Sequence, residues 1–352
     1  MKSRSTLTAL VLLPLLGIAS ADTIHLKNGT TYQGKILKED PEQYVFEVQI
    51  TKSIKDEKRI PKADVASVER ELPDQKAFNQ LSLEPAGDLL EASDYQERIA
   101  KMYGFIKAFP LSTHLSEVKK VTAQLEQEQS VVEAGGVKLN GKMISLADRQ
   151  KDAVEIDAKI LSAKIQNAAK NRAYVSALRQ LSEFEKDFGT TDTFRDSLPT
   201  LRQIFQNYRA QIATLATSYP QRVKERDAGL GQMKPEDRVN TERALAEESK
   251  VVKTQYDADK KAGLKWLTPD QWDKPALDET LRYIDQEAKR FDNLKIETEH
   301  NSGKAWRDAW AAIQGHDQQA ATDALKTART SKMPARYLTR LEDAAKAAGI
   351  KP

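Results

Sequence analysis

Two hydrophobic periods divide this chain, and the change between them constrains its fold more than any other feature. From Asp22 to Val68 the apolar residues alternate with polar ones in short runs. From about residue 90 onward they recur every three or four positions. The alternating part is punctuated by turns. Thr23–Leu26 is followed by Lys27-Asn28-Gly29-Thr30, with Asn-Gly at the centre of a tight hairpin. Thr31–Leu37 is followed by Glu39-Asp40-Pro41-Glu42, and Tyr44–Ile50 is rich in β-branched and aromatic residues. Ile54–Ile60 and Val65–Val68 complete about five short strands, the number for a small, strongly bent antiparallel barrel of the SH3 or Sm-like kind. Such a barrel over 22–72 would place Gly34 where a strand bends sharply.

The remainder predicts a mainly α architecture of helical hairpins. A linker is expected over 73–92, a helical-hairpin region over 93–220 and a C-terminal helical region over 221–352. Ser93-Asp94 can cap a helix through Tyr95, Ile99, Met102 and Ile106, ended by Phe109-Pro110. A second helix through Leu115, Val118, Leu125 and Val132 stops at Gly135-Gly136. One β-hairpin interrupts the helices at 137–144, turning on Asn140-Gly141. Ser145 and Asp148 form a capping box for a helix carrying Ile156, Ile160 and Ile165 and running to about Lys170. A stripe from Tyr174 to Phe188 follows. A helix from about Pro199 is expected to break at Tyr219-Pro220. A polar helix spans 235–261, an amphipathic one begins at Pro275, and three short helices lie near 303–315, 318–330 and 334–348.

Residues 1–21 read as a cleavable signal peptide. Lys2 and Arg4 precede the apolar run Leu7–Leu16, which is too short to span a bilayer, and Ala19-Ser20-Ala21 offers a cleavage site after Ala21. Loss of Lys2 and Arg4 takes the 55 basic side chains to 53 against 52 acidic, so the mature chain is near neutral and no nucleic-acid partner is expected. The chain has no cysteine, which excludes disulfides, thiolate metal sites and thiol nucleophiles. An exported chain without disulfides fits a periplasmic or secreted bacterial protein, with no membrane span left after cleavage.

Motifs for chemistry are sparse. There is no G-x-S-x-G elbow and no H-E-x-x-H. Ser302-Gly303-Lys304 lacks the first glycine of a phosphate loop, and Gly229-Leu230-Gly231 follows no strand. The carboxylates are abundant but sit among Lys and Arg at helical spacing, which is the pattern of solvated faces. No enzymatic activity, cofactor or metal site is therefore expected. The tryptophans are the uneven feature, since Trp266, Trp272, Trp306 and Trp310 all lie after residue 265. Trp306 and Trp310 share a helical face with Ala309 and Ile313 and predict a core pair. Trp266 and Trp272 flank Leu267-Thr268-Pro269; they are expected to be partly exposed and are the candidate partner-binding residues.

Asp22–Gly29, Thr51–Lys62, Phe78 and Leu83–Leu90 together resemble the PTPDL family of exported proteins from verrucomicrobial bacteria. Pro85 and Asp88-Leu89 match the family's Pro-Thr-Pro-Asp-Leu signature, with Ala86-Gly87 in place of its Thr-Pro part. The resemblance covers roughly the first third of the chain, implies export to the envelope and assigns no functional residue. Phe105–Ser112 with the helix after it, and Ala309–Ala324 around Gly315-His316-Asp317, resemble the helix-turn-helix units of tetratricopeptide-like proteins without their full repeat. The expectation is an envelope interaction or scaffold module binding a protein or a glycan. The alternatives are an oligomer paired through the 235–261 helix and a polysaccharide hydrolase using two carboxylates.

Overall fold

The computed structural model describes residues 22–49, 55–70, 72–295 and 299–351. The expected signal peptide, residues 1–21, lies outside them, as do Ile50 and Ile54 of the expected strands. The chain divides between Met143 and Ile144 into two compact units.

The first unit begins with a five-stranded antiparallel sheet: β1 (Asp22–Leu26), β2 (Thr31–Glu39), β3 (Gln43–Gln49), β4 (Lys55–Pro61) and β5 (Val65–Glu69). Its order is β4-β3-β2-β1-β5, so the first strand pairs with both the second and the last. Period-2 patterning puts Ile24, Phe46 and Ile60 in its core, flanked by Tyr32, Ile36 and Val48. Asn28-Gly29 forms the expected turn, with Gly29 at φ 84°. Gly34 stands where β2 crosses Glu47 of β3. A Cβ there would come within 1.9 Å of the Glu47 carbonyl oxygen, so only glycine permits the approach.

Helices follow. The expected linker contains α1 (Pro73–Phe78), and α2 (Ala92–Ala108) packs on α3 (Leu115–Glu133). Their apolar stripes merge in a core of Tyr95, Ile99, Met102, Phe105, Val118 and Leu125. The hairpin β6 (Val137–Leu139) and β7 (Lys142–Ile144) turns on Asn140 and Gly141, both at positive φ (51° and 72°). Asp88 closes over this turn, its two carboxylate oxygens accepting from the backbone N–H groups of Asn140 (2.7 Å) and Gly141 (2.9 Å). The Leu89 N–H donates to Lys138 O. The Pro85–Leu89 segment thus anchors a hairpin fifty residues away. Asp88→Ala is expected to cost about 1–2 kcal/mol in the urea unfolding of this unit, from two charge-assisted bonds lost at a partly exposed site.

The second unit is all helical: α4 (Leu146–Lys151), α5 (Ala153–Lys170), α6 (Tyr174–Phe188), α7 (Asp192–Gly231), α8 (Pro235–Lys261), α9 (Lys274–Asp292), α10 (Ser302–Gln314), α11 (Gln318–Thr330) and α12 (Ala335–Ala347). Ser145 caps α4, its Oγ accepting from the Asp148 N–H (3.1 Å), but the Asp148 carboxylate accepts from Ser145 Oγ (2.8 Å) and not from the Ser145 backbone N–H that the expected capping box would use. The single helix expected after it is two, because the chain turns at Asp152 (φ −135°, ψ 42°).

The larger correction concerns α7. It begins at Asp192, ahead of Pro199, and runs unbroken through Pro220 for 40 residues. A proline inside a helix costs about 3 kcal/mol or more. Here a buried stripe of Phe194, Leu198, Leu201, Phe205, Tyr208 and Ile212 continues across Pro199 and offsets it. Near Pro220 the Arg222 guanidinium donates to the Leu215 carbonyl (3.0 Å), one residue before Ala216, whose carbonyl is the one that loses its backbone donor to the proline. The expected division at residue 220 therefore falls inside a helix.

Candidate functional site

The segment 262–273, between α8 and α9, carries both candidate tryptophans, and side chains from three helices fix it. Gly263 (φ 70°) turns the chain out of α8, and the Leu264 N–H returns to Asp259 O (3.1 Å). From α6, Arg179 Nε donates to Trp266 O (2.8 Å), and its Nη2 pairs with Asp259. That hydrogen bond from Arg179 holds the Asp259 carboxyl below the usual carboxylate range. From α7, Arg222 Nη2 donates to Gln271 O (2.8 Å). Within the segment, Asp270 accepts from the Trp272 N–H (2.8 Å) and from Ser249 Oγ (3.1 Å), while Asp273 caps α9 through the Ala276 N–H.

These anchors send the two tryptophans to different places. Trp266 is 3% exposed, a correction to the partial exposure expected of it. Its ring lies among Phe205 (5.8 Å), Tyr208 (6.4 Å) and Tyr283 (4.9 Å) in the core of the unit. A Leu-Thr-Pro turn gives no hint of this, because the partners come from α7 and α9. Trp272 is half-buried, as expected. Arg222 and Arg226, one turn apart on α7, lie over its ring at 4.7 and 4.6 Å. Trp306 is fully buried and stacks on Trp310 (5.6 Å, 12°), which packs against the same core.

Of the four clefts that the 262–273 segment borders among the described residues, three have aromatic walls. One of about 500 Å³ lies between it and α6 and α7, with Tyr174, Val175, Ile212, Leu215 and Pro269 among its residues. A second of about 500 Å³ lies between it, α8 and α9, beside Trp266, Tyr256 and Tyr283. A third of about 550 Å³ has Trp272, Tyr219 and Tyr256 as aromatic walls, with Asp257, Asp270 and Glu279 among its carboxylates. All three fall within the size range of ligand pockets, and their aromatic walls suit binding. Burial pushes the Tyr283 and Tyr256 phenols upward, so both are neutral donors at ordinary pH.

The residues that organise this region were not legible as a group. Arg179 and Tyr208 sit on helical stripes whose partners lie some 60 to 90 residues away, and Arg222 follows a proline that reads as a break. Among the described residues no group of three or more His, Asp or Glu side chains is placed to hold a metal ion, and no helix is long and apolar enough to cross a membrane. Compared with family models, with curated proteins and with solved structures, the chain matches none.

Proposed function

We propose that this is an exported envelope protein that works by binding, and that its C-terminal unit holds a protein partner at the 262–273 segment. The observation that carries this reading is the convergence of three clefts on one arginine-anchored segment. Pre-formed clefts with aromatic walls favour recognition, since little order has to be gained on binding. The basic n-region, short apolar run and Ala-x-Ala site support export and cleavage after Ala21, and the resemblance to the PTPDL family points the same way. In this reading the N-terminal sheet is an SH3- or Sm-like barrel; the pairing of β1 with both β2 and β5 supports it. The α2–α3 and α10–α11 pairs serve as tetratricopeptide-like hairpins.

A glycan is the second reading, and the third cleft favours it, because Trp272, Tyr219 and Tyr256 surround carboxylates there. One experiment separates the two. The exported full-length chain is recovered from envelope fractions with whatever it holds, beside a Trp272→Ala variant, and the eluate is assayed for protein and for sugar. A discrete protein partner retained by the wild type supports the first reading. Sugar alone, lost with Trp272→Ala, supports the second, and an empty eluate from the wild type overturns both. Trp266→Ala is no substitute, because a core ring is removed with it.

A further inference from the structure

We propose that the cleft between α6, α7 and the 262–273 segment takes one apolar side chain of an extended, acidic peptide segment, reading its backbone amide through Gln180 and Tyr208. The inference rests on the protein-binding reading above and names the ligand chemistry of one of its clefts.

Two buried polar atoms carry it. The Tyr208 hydroxyl has no hydrogen-bond partner among the described residues, although the residue is 3% exposed. Gln180 is only partly buried, but its Oε1 is also closed to solvent and unpartnered, while its Nε2 donates to Ser176 Oγ (3.2 Å). Both residues line the same cleft, but both atoms are closed to solvent in the ligand-free fold, so the ligand engages them only as the two side chains turn into it. Buried polar groups are almost always paired, and an unpaired one weakens the fold, so a pair at one cleft marks a place where a ligand completes the bonding. The two atoms differ in what they need. Gln180 Oε1 only accepts, whereas a phenol can donate. A peptide unit offers both complements, an N–H for Gln180 and a carbonyl oxygen for Tyr208.

The remaining walls fix the rest of the ligand. Tyr174, Val175, Ile212, Leu215 and Pro269 make an apolar pocket of the size a leucine or aromatic side chain fills with its flanking backbone. The charged residues of the lining are Arg172 and Arg179, and no carboxylate is among them. Arg179 is committed to Asp259 and Trp266 O. Arg172 is exposed, held at φ 58°, and makes no ion pair among the described residues, so it selects an acidic neighbour. A sugar would leave the apolar walls unfilled. A fatty acid would satisfy Arg172 and the walls but brings no N–H to Gln180.

The test uses the exported full-length chain and four probes in calorimetric titration: the capped tripeptide aspartyl-leucyl-aspartate, its serine-flanked analogue, the aspartate form with an ester replacing the leucine N–H, and decanoate. Saturable binding of the aspartate peptide is expected, about tenfold weaker for the ester and about tenfold weaker for Tyr208→Phe, the change expected from one hydrogen bond. Arg172→Asn, which tolerates positive φ, should weaken the aspartate peptide and leave the serine peptide unchanged. Tyr208→Phe should melt no lower than the wild type, because it removes a group that has no partner. Equal binding to wild type and Tyr208→Phe, tighter binding of decanoate, or no saturable tripeptide binding would each overturn the proposal. The two readings fail separately. A partner retained from envelope fractions by a wild type that shows no saturable tripeptide binding keeps the binding function and rejects this cleft. An empty wild-type eluate with tripeptide binding intact rejects the function alone.

Discussion

Lys138→Met is expected to destabilise the N-terminal unit by about 3–5 kcal/mol, the cost of leaving one buried charge without its partner. Lys138 and Glu128 are both almost fully buried, and Lys138 Nζ lies 2.8 Å from Glu128 Oε1. Glu128 also accepts from Tyr95 OH (3.1 Å) and Gln124 Nε2 (3.1 Å), so β6, α2 and α3 meet on one carboxylate. Burial alone would raise the Glu128 carboxyl, but the hydrogen bonds from Lys138, Gln124 and Tyr95 outweigh it and hold the group below its ordinary value. Burial, with Glu128 beside it, pushes the Tyr95 phenol up to about 12.

The signs of the pH dependence follow. A carboxyl lowered by folding contributes fully above its unfolded value, near ~4.3 for a glutamate, and that contribution is lost as pH falls through the folded value. A phenol raised by folding contributes fully below ~10 and loses its contribution as pH rises toward the folded value. Glu128→Gln should therefore flatten the acid limb of the stability profile and leave Lys138 unpaired at neutral pH. A triple variant, Glu128→Met with Lys138→Met and Tyr95→Phe, should cost less than either single charge deletion, since no buried polar group is stranded. All four tryptophans lie after residue 265, so their emission is blind to this unit, and amide hydrogen exchange under urea, read on α2, α3 and β6, is the measurement for it. A Lys138→Met loss under about 1 kcal/mol would mean that the pair opens to water.

That network also shows where the sequence stops being legible. Period-2 and period-3.6 patterning place the strands, α2, α3 and most helices after them, because each element hides one face and the pattern of that face is local. Asn140-Gly141 and Ser145–Asp148 are legible for the same reason, since turn and cap chemistry acts within a few residues. Glu128 reads as one more charge on a polar helix, and only β6, packed beside it, makes it a buried anchor. Asp88 belongs to a segment with no visible element, yet it binds a turn fifty residues later. Trp266 is sealed by rings from α7 and α9, so its burial is a property of the assembled unit. Pro220 shows the converse. Local propensity calls for a break, yet the helix runs on, with Arg222 and Arg226 beyond the proline held against Gln271 O and the Trp272 ring.

Gly303→Ala is expected to destabilise the C-terminal unit by about 2–4 kcal/mol, although glycine to alanine in a helix ordinarily gains up to about 1 kcal/mol. Gly303 is buried at the start of α10 against the Glu155 side chain of α5. An added Cβ would lie 2.4 Å from Glu155 Oε1, 2.5 Å from its Cγ and 2.8 Å from its Cδ. A flexible side chain could swing away at little cost, but Glu155 is itself 3% exposed and fully engaged. Its carboxylate accepts from the Asp192 N–H (2.8 Å), the Thr193 N–H (3.2 Å) and Thr193 Oγ1 (2.6 Å), occupying the N-terminus of α7, where free amide groups and the helix dipole favour a negative charge. Moving it for a methyl group would strand those donors and bury a charge without them. The double variant Gly303→Ala with Glu155→Ala decides whether this contact is the cause. If it is, the two changes are strongly non-additive, because once Glu155 is truncated the methyl at 303 fills space and brings no further loss. If Gly303→Ala costs the same with and without Glu155 in thermal unfolding followed by tryptophan emission, the glycine is required by the α10 backbone and Glu155 is only its neighbour.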